Sequence, residues 1–91
     1  MYNIQQGKNR FFIEDNGEML AEITFLPLKN EQIDVNHTFV SDKLRGQGIA
    51  GQLLDRVVQY AREEKKMIVP TCSYAAVKME RKKDYHDVLA K

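Results

Sequence analysis

The chain has 91 residues, 43% apolar and 30% charged, with 14 Lys and Arg against 13 Asp and Glu. That sets one small domain over residues 1–91 as the expectation and argues against a disordered charged tail. One cysteine excludes an intrachain disulfide and zinc sites built from several thiolates, no apolar run approaches the roughly 20 residues of a membrane helix, and the N-terminus lacks the order of a signal peptide, so a cytoplasmic location is expected.

Residues 10–14 (R-F-F-I-E) form a short β run, and Asp15-Asn16-Gly17 follows with the Asn-Gly pair of a tight hairpin. Residues 18–26 alternate, with Met19, Ala21, Ile23 and Phe25 on one face, and Pro27 is expected to end regular pairing. Residues 32–40 alternate again, placing Ile33, Val35, His37 and Phe39 together. These runs predict a three-stranded antiparallel meander. Residues 41–47 read as a loop. A helix is predicted from about Gly48 to Lys65, because Ile49, Leu53, Leu54, Val57, Val58 and Ala61 fall on one stripe. The run M-I-V-P-T-C at 67–72 suits a strand buried on both faces and parallel to 32–40. Ser73 is the expected N-cap of a second helix over 74–83, and Tyr85, Val88 and Leu89 of the tail (84–91) are expected to fold back on the core. The fold class is therefore α+β or α/β: a meander, a strand–helix–strand crossover and a C-terminal helix.

The sharpest motif is Arg45-Gly46-Gln47-Gly48-Ile49-Ala50, at a strand-to-helix junction. The first amides of a helix lack intrahelical partners and sit at its positive end, so such a junction receives anions. Glycines there let the backbone approach phosphate oxygens closely. Gly51 on the first turn is expected to allow close helix–strand contact. The Gly-x-Gly pair also fits an ordinary turn, and it lacks the further elements of a dinucleotide fingerprint or a P-loop. Charge is divided unevenly. Residues 1–40 carry three bases and six acids, for −3, and the remainder carries 11 bases and seven acids, for +4. An anion would prefer the C-terminal half.

Arg45-x-x-Gly48-x-Ala50 resembles the [Gln/Arg]-x-x-Gly-x-[Gly/Ala] signature of GNAT-type N-acetyltransferases. The ordered set His37-Thr38-x-Val40, Leu44 through Ala50, Pro70-x-Cys72 and Tyr85-x-Asp87 resembles, more specifically, the minimal GNAT proteins of the YjdJ type. The likeness runs from about Lys8 to Leu89. It implies a compact GNAT-like fold that binds acetyl-CoA and moves its acetyl group to an unidentified primary amine: a small amine, a peptide or a protein lysine. It also implies that the amides of Arg45, Gly46, Gln47, Gly48, Ile49 and Ala50 hold the pyrophosphate. Phe39 and Val40 would pair with the pantetheine as if it were an added strand, which requires the two parallel strands to part. Pro70, lacking an N–H, fits such a parting and equally fits a plain strand end.

Acetyl transfer needs a neutral amine, support for an oxyanion and an exit for the CoA thiolate. Cys72 is expected at the C-terminal end of the last parallel strand and ahead of a helix, a position that favours a thiolate. It is a candidate nucleophile or proton donor, against the plainer role of a small buried hydrophobe. His37, expected on the neighbouring strand, is the candidate base and would pair with Cys72, against a satisfied core histidine. Tyr74 and Lys78 are candidate cofactor contacts, the lysine for the 3′-phosphate. Metal ligands are not expected. The chain lacks the helical segment that follows the first strand in larger members of the family and often builds the acceptor site. The alternative is therefore a CoA-binding module with little turnover. No nucleic-acid motif accompanies the Lys78 to Lys83 cluster. A monomer or weak homodimer, away from membranes, is the expected state.

Overall fold

The computed structural model describes residues 2–90. Its strands are β1 (Gln5–Gly7), β2 (Arg10–Asp15), β3 (Glu18–Leu28), β4 (Gln32–Val40) and β5 (Met67–Pro70), joined in chain order in one sheet. Pairing is antiparallel from β1 to β4 and parallel between β4 and β5. Helices α1 (Ile49–Glu64) and α2 (Ser73–Arg81) follow β4 and β5 respectively. The meander and crossover are those expected. β1 is an addition: Gln5-Gln6-Gly7 has no apolar alternation, and its register opposite Phe12, Phe11 and Arg10 is what makes it a strand.

The β2–β3 hairpin turns on Asn16 and Gly17, both at positive φ (50° and 77°), as an Asn-Gly type I′ turn requires. Two bulges then break the alternation that the sequence suggests. Ile13 pairs with Ala21 but Glu14 with Met19, so Leu20 is an extra residue in β3. Leu20 and Ala21 are consequently both buried, while Met19 is only half-buried. In the second bulge Thr24 pairs with His37 but Phe25 with Val35, leaving Asn36 extra in β4. Ile33 and Val35 point into the core before it. Past it Thr38 and Val40 turn inward, and His37 and Phe39 are exposed. The expected common face of Ile33, Val35, His37 and Phe39 is therefore corrected: one inserted residue reverses which side chains face which side.

Pro27 does not end the pairing. β3 continues to Leu28, with Pro27 opposite Ile33. On the β2 side the last bond is from Phe25 N to the Asn9 carbonyl (3.0 Å), so an amide at Pro27 facing that way would have no ladder bond to lose.

All six residues of the predicted stripe on α1 are buried. α1 ends at Lys65, in the left-handed region at φ 57°, with the Lys65 and Lys66 amides folded back on Arg62 and Ala61 carbonyls. β5 buries only Ile68 fully; Met67, Val69 and Pro70 are half-buried, because β5 lies at the end of the strand order rather than inside the sheet. The N-cap of α2 is Cys72 and not Ser73. A 3₁₀ segment, Lys83–Val88, packs Tyr85 and Val88 into the core, and Leu89 bridges to Ile68. Lys91, also part of the expected tail, lies outside the described residues. Arg62 holds that segment through Asp87 (Nε to Oδ2, 2.9 Å) and the Asp84 carbonyl. Ala75 and Met79 of α2 join the same apolar cluster as α1. Among the described residues no helix is long and apolar enough to cross a membrane.

Candidate active site

β4 and β5 pair only as far as Val35 opposite Pro70. Pro70 has no N–H to continue the ladder. The chain instead turns so that Thr71 N (3.1 Å) and Cys72 N (2.9 Å) both donate to the Val35 carbonyl. The β5-facing edge of residues 36–40 is left without a strand partner. The two strands part, with Cys72 at the point of divergence.

At the other end of the open edge, Ser41 caps a single 3₁₀ turn, Asp42–Leu44, through its hydroxyl. Gly46 (φ 83°) and Gly48 (φ 70°) are in the left-handed region, and Gly48 is the N-cap of α1. Gly48 offers no side-chain cap, and the first intrahelical bond runs from Gln52 N to Gly48 O (3.2 Å). The Ile49, Ala50 and Gly51 amides are thus without helical acceptors at the positive end of a 16-residue helix. These three residues line a groove of about 440 Å³ whose walls also include Val40, Arg45, Gly48, Tyr74 and Lys78. A second groove, about 720 Å³, runs along α2 past Tyr74, Lys78, Arg81 and Lys82.

Placement of the candidate residues follows from these elements. Val40, Arg45, Gly46, Gly48, Ile49, Ala50, Tyr74 and Lys78 converge on the first groove. Ile49 points its side chain into the core, so its contribution there is backbone. Gln47 is exposed and is not part of the groove wall. Arg45 is exposed and pairs with Asp42. Phe39 is 41% exposed on the opposite face, leaving only its backbone on the open edge. Gly51 faces Tyr74 rather than a strand: a Cβ there would lie 3.7 Å from the Tyr74 hydroxyl, an ordinary contact.

Cys72 and His37 are not brought together. Cys72 is half-buried, and its Sγ lies 3.4 Å from Thr38 Oγ1. The Asn36 bulge puts Thr38 on the thiol's side and sends His37 to the exposed face. Burial pushes the Cys72 thiol up, but hydrogen bonds from the Thr38 side chain and from the Ala75, Tyr74 and Thr38 backbones outweigh it and hold the thiol below its ordinary value. Tyr74 moves the other way, its phenol raised by burial and by the neighbouring Tyr85 and Cys72. Thr38 is the residue that sequence reasoning missed. It stands in the motif His37-Thr38-x-Val40, but unbroken alternation assigns it to the wrong face. Among the described residues no cluster of three metal-ligating side chains occurs.

This arrangement, a parted pair of parallel strands with a glycine turn and an open helix N-terminus beside it, belongs to the acyl-CoA-dependent transferases. The profile described as GCN5-related N-acetyl-transferase matches residues 10–88. A GCN5-like protein from Staphylococcus aureus, solved in solution by NMR, is 42% identical over 98% of this chain and 88% of its own, with a TM-score of 0.83. Two further structures share the fold at 22% identity. One is a GNAT family acetyltransferase from Elizabethkingia anophelis with acetyl-CoA bound (TM-score 0.61, 79% of this chain and 50% of that one). The other is YhbS from Escherichia coli with CoA (TM-score 0.58, 67% and 38%). The chain spans half or less of these two. A search of curated proteins finds no match. The chain belongs to the GCN5-related N-acetyltransferase family, whose acetyl donor is acetyl-CoA.

Proposed function

We propose that this protein takes the acetyl group of acetyl-CoA onto Cys72 and passes it to a primary amine. The observation that carries this reading is the unpaired edge at residues 36–40, which leads from the open amides of α1 to the Cys72 thiol. An extended chain with alternating donors and acceptors adds to such an edge as a strand does, and pantetheine has that character. The pyrophosphate then meets the amides at Gly48, Ile49 and Ala50, and Lys78, Arg81 and Lys82 supply charge for the 3′-phosphate.

Cys72 as a thiolate attacks the thioester carbonyl carbon. A bond from its sulfur to that carbon forms, the bond to the CoA sulfur breaks, and the CoA thiolate takes a proton from solvent. The neutral acceptor amine then attacks the carbonyl carbon of the acetyl-cysteine: the carbon–nitrogen bond forms, the carbon–sulfur bond breaks, the Cys72 thiolate leaves, and the nitrogen gives its surplus proton to solvent. The depressed thiol favours this role over that of a proton donor. An alkylamine is mostly protonated near pH 7, so the acceptor must lose a proton before it attacks; His37 lies on the exposed face of β4, away from the acetylated sulfur, and that proton goes to solvent.

Intact mass after mixing with acetyl-CoA alone is expected to show one added acetyl group in the wild-type chain and none in Cys72→Ala. Full turnover of an amine in Cys72→Ala would overturn the covalent route. Calorimetry tests the donor: no saturable binding at millimolar CoA would remove the reading altogether. Binding without CoA release across a panel of amines and peptides would reduce the protein to a CoA-binding module.

A further inference from the structure

Thr38 is a half-buried, β-branched residue on the inward face of β4, next to the open edge. Its backbone position is set by the bulge at Asn36, and Asn36 Oδ1 is itself held by Thr24 Oγ1 at 2.6 Å. The sulfur it meets is fixed from the other side. Cys72 N is tied to the Val35 carbonyl, and Cys72 caps α2 with its own carbonyl accepting from Ala76 N (2.9 Å). The Thr38 end of the Sγ to Oγ1 contact is thus held in the β3–β4 ladder, opposite Ile23, and the Cys72 end by backbone bonds. A hydroxyl can accept from S–H and can donate to S⁻, so the contact survives ionisation of the thiol and strengthens when the sulfur is charged.

The other groups facing the sulfur are few. From α2 come the Tyr74 and Ala75 amides, at the positive end of that helix, and the Tyr74 phenol, which stays neutral below its raised pKa. Lys78 stands further along the groove wall with Tyr74. From β4, His37 points away.

We infer that Thr38 is the positioning residue for acyl transfer, its hydroxyl aiming the Cys72 sulfur and holding it ready as the thiolate at the mouth of the strand gap. The inference rests on the reading that Cys72 takes the acetyl group. Its test does not need acetyl-CoA. Cys72 is the one cysteine of the chain, so alkylation by iodoacetamide reports that thiol alone. In Thr38→Val the midpoint of the rate against pH is expected to rise, and the rate at pH 7 to fall about three- to tenfold. Thr38→Ser restores both. If the valine variant unfolds, the pair Thr38→Ser and Thr38→Ala compares side chains that differ by the hydroxyl, with the serine near the wild-type midpoint and the alanine above it. A packing role alone would shift melting temperature in these variants and leave the midpoint where it was; an unmoved midpoint in folded Thr38→Val or Thr38→Ala overturns the inference. Formation of acetyl-Cys72 is followed in parallel by mass. Its absence from a wild-type chain that binds acetyl-CoA overturns the covalent reading, and with it Thr38's part in transfer, whereas its presence at undiminished rate in Thr38→Val overturns the positioning role alone.

Discussion

Tyr85 buries its ring almost completely and gives its hydroxyl to Asp55 Oδ1 at 3.1 Å. Burial raises its phenol to about 12, and the Asp55 charge adds to the shift. A group whose pKa is higher folded than unfolded contributes stability below its unfolded value and loses it as pH climbs through the folded one. Stability is therefore expected to decline between about pH 10 and 12. Denaturant titrations across that window should show the decline, and it should be smaller in Tyr85→Phe. At Gly48 no heavy atom lies within 4 Å of an added Cβ, so in the free protein a substitution there meets backbone strain and not a clash. Gly17 has the same character at the distant hairpin. Gly48→Ala and Gly17→Ala are each expected to cost about 1 kcal/mol of stability. Only Gly48→Ala should weaken CoA binding, because only there would a side chain stand at the proposed pyrophosphate contact. Equal affinities by calorimetry would show that the turn is not the phosphate site.

Elements differ in how openly the sequence declares them. The stripe of α1 and the Asn-Gly hairpin are legible because each signal is local and redundant: six apolar residues at helical spacing, or a dipeptide suited to positive φ. The bulges are not. H-T-F-V carries side chains that tolerate either face, so nothing in residues 37–40 betrays that Asn36 is unpaired and that the parity has changed. The same blindness placed His37 beside Cys72 and hid Thr38. The glycine turn before α1 was legible as a motif, whereas the thiol's partner depended on one residue of register. The bulge also bends β4 just where β5 leaves it. Deleting Asn36 keeps Thr38 and Val40 inward, since the bulged residue alone is removed. Folding should survive, with a stability change of about 1–2 kcal/mol. Donor affinity is expected to fall at least about tenfold as the strands close toward regular pairing. Unchanged affinity in calorimetry would mean that Pro70, and not the bulge, parts the strands.

At the scale of the whole molecule, 91 residues with one apolar cluster among the described ones leave little stability in reserve. The proposed donor groove joins three pieces that are distant in sequence: the end of β4, the start of α1 and the face of α2. A ligand that bridges them binds only the folded chain and must stabilise it. At a concentration 100 times the dissociation constant the gain is about 2.7 kcal/mol. For a domain of this size each kcal/mol moves the melting temperature by about 4–8 °C, so CoA should raise it by roughly 10–20 °C. The uneven charge sharpens the expectation. The anion meets the half of the chain with 11 bases against seven acids, so the rise should shrink with added salt as the phosphate contacts are screened. Dephospho-CoA, which lacks the 3′-phosphate, should give a smaller rise that is less salt-sensitive. Arg81→Ala, on the second groove and not the first, should lower the rise with CoA and leave that with dephospho-CoA nearly unchanged. Equal melting shifts for the two ligands, at equal concentrations and at low salt, would place the 3′-phosphate in open solvent and leave Lys78, Arg81 and Lys82 without a part in binding it.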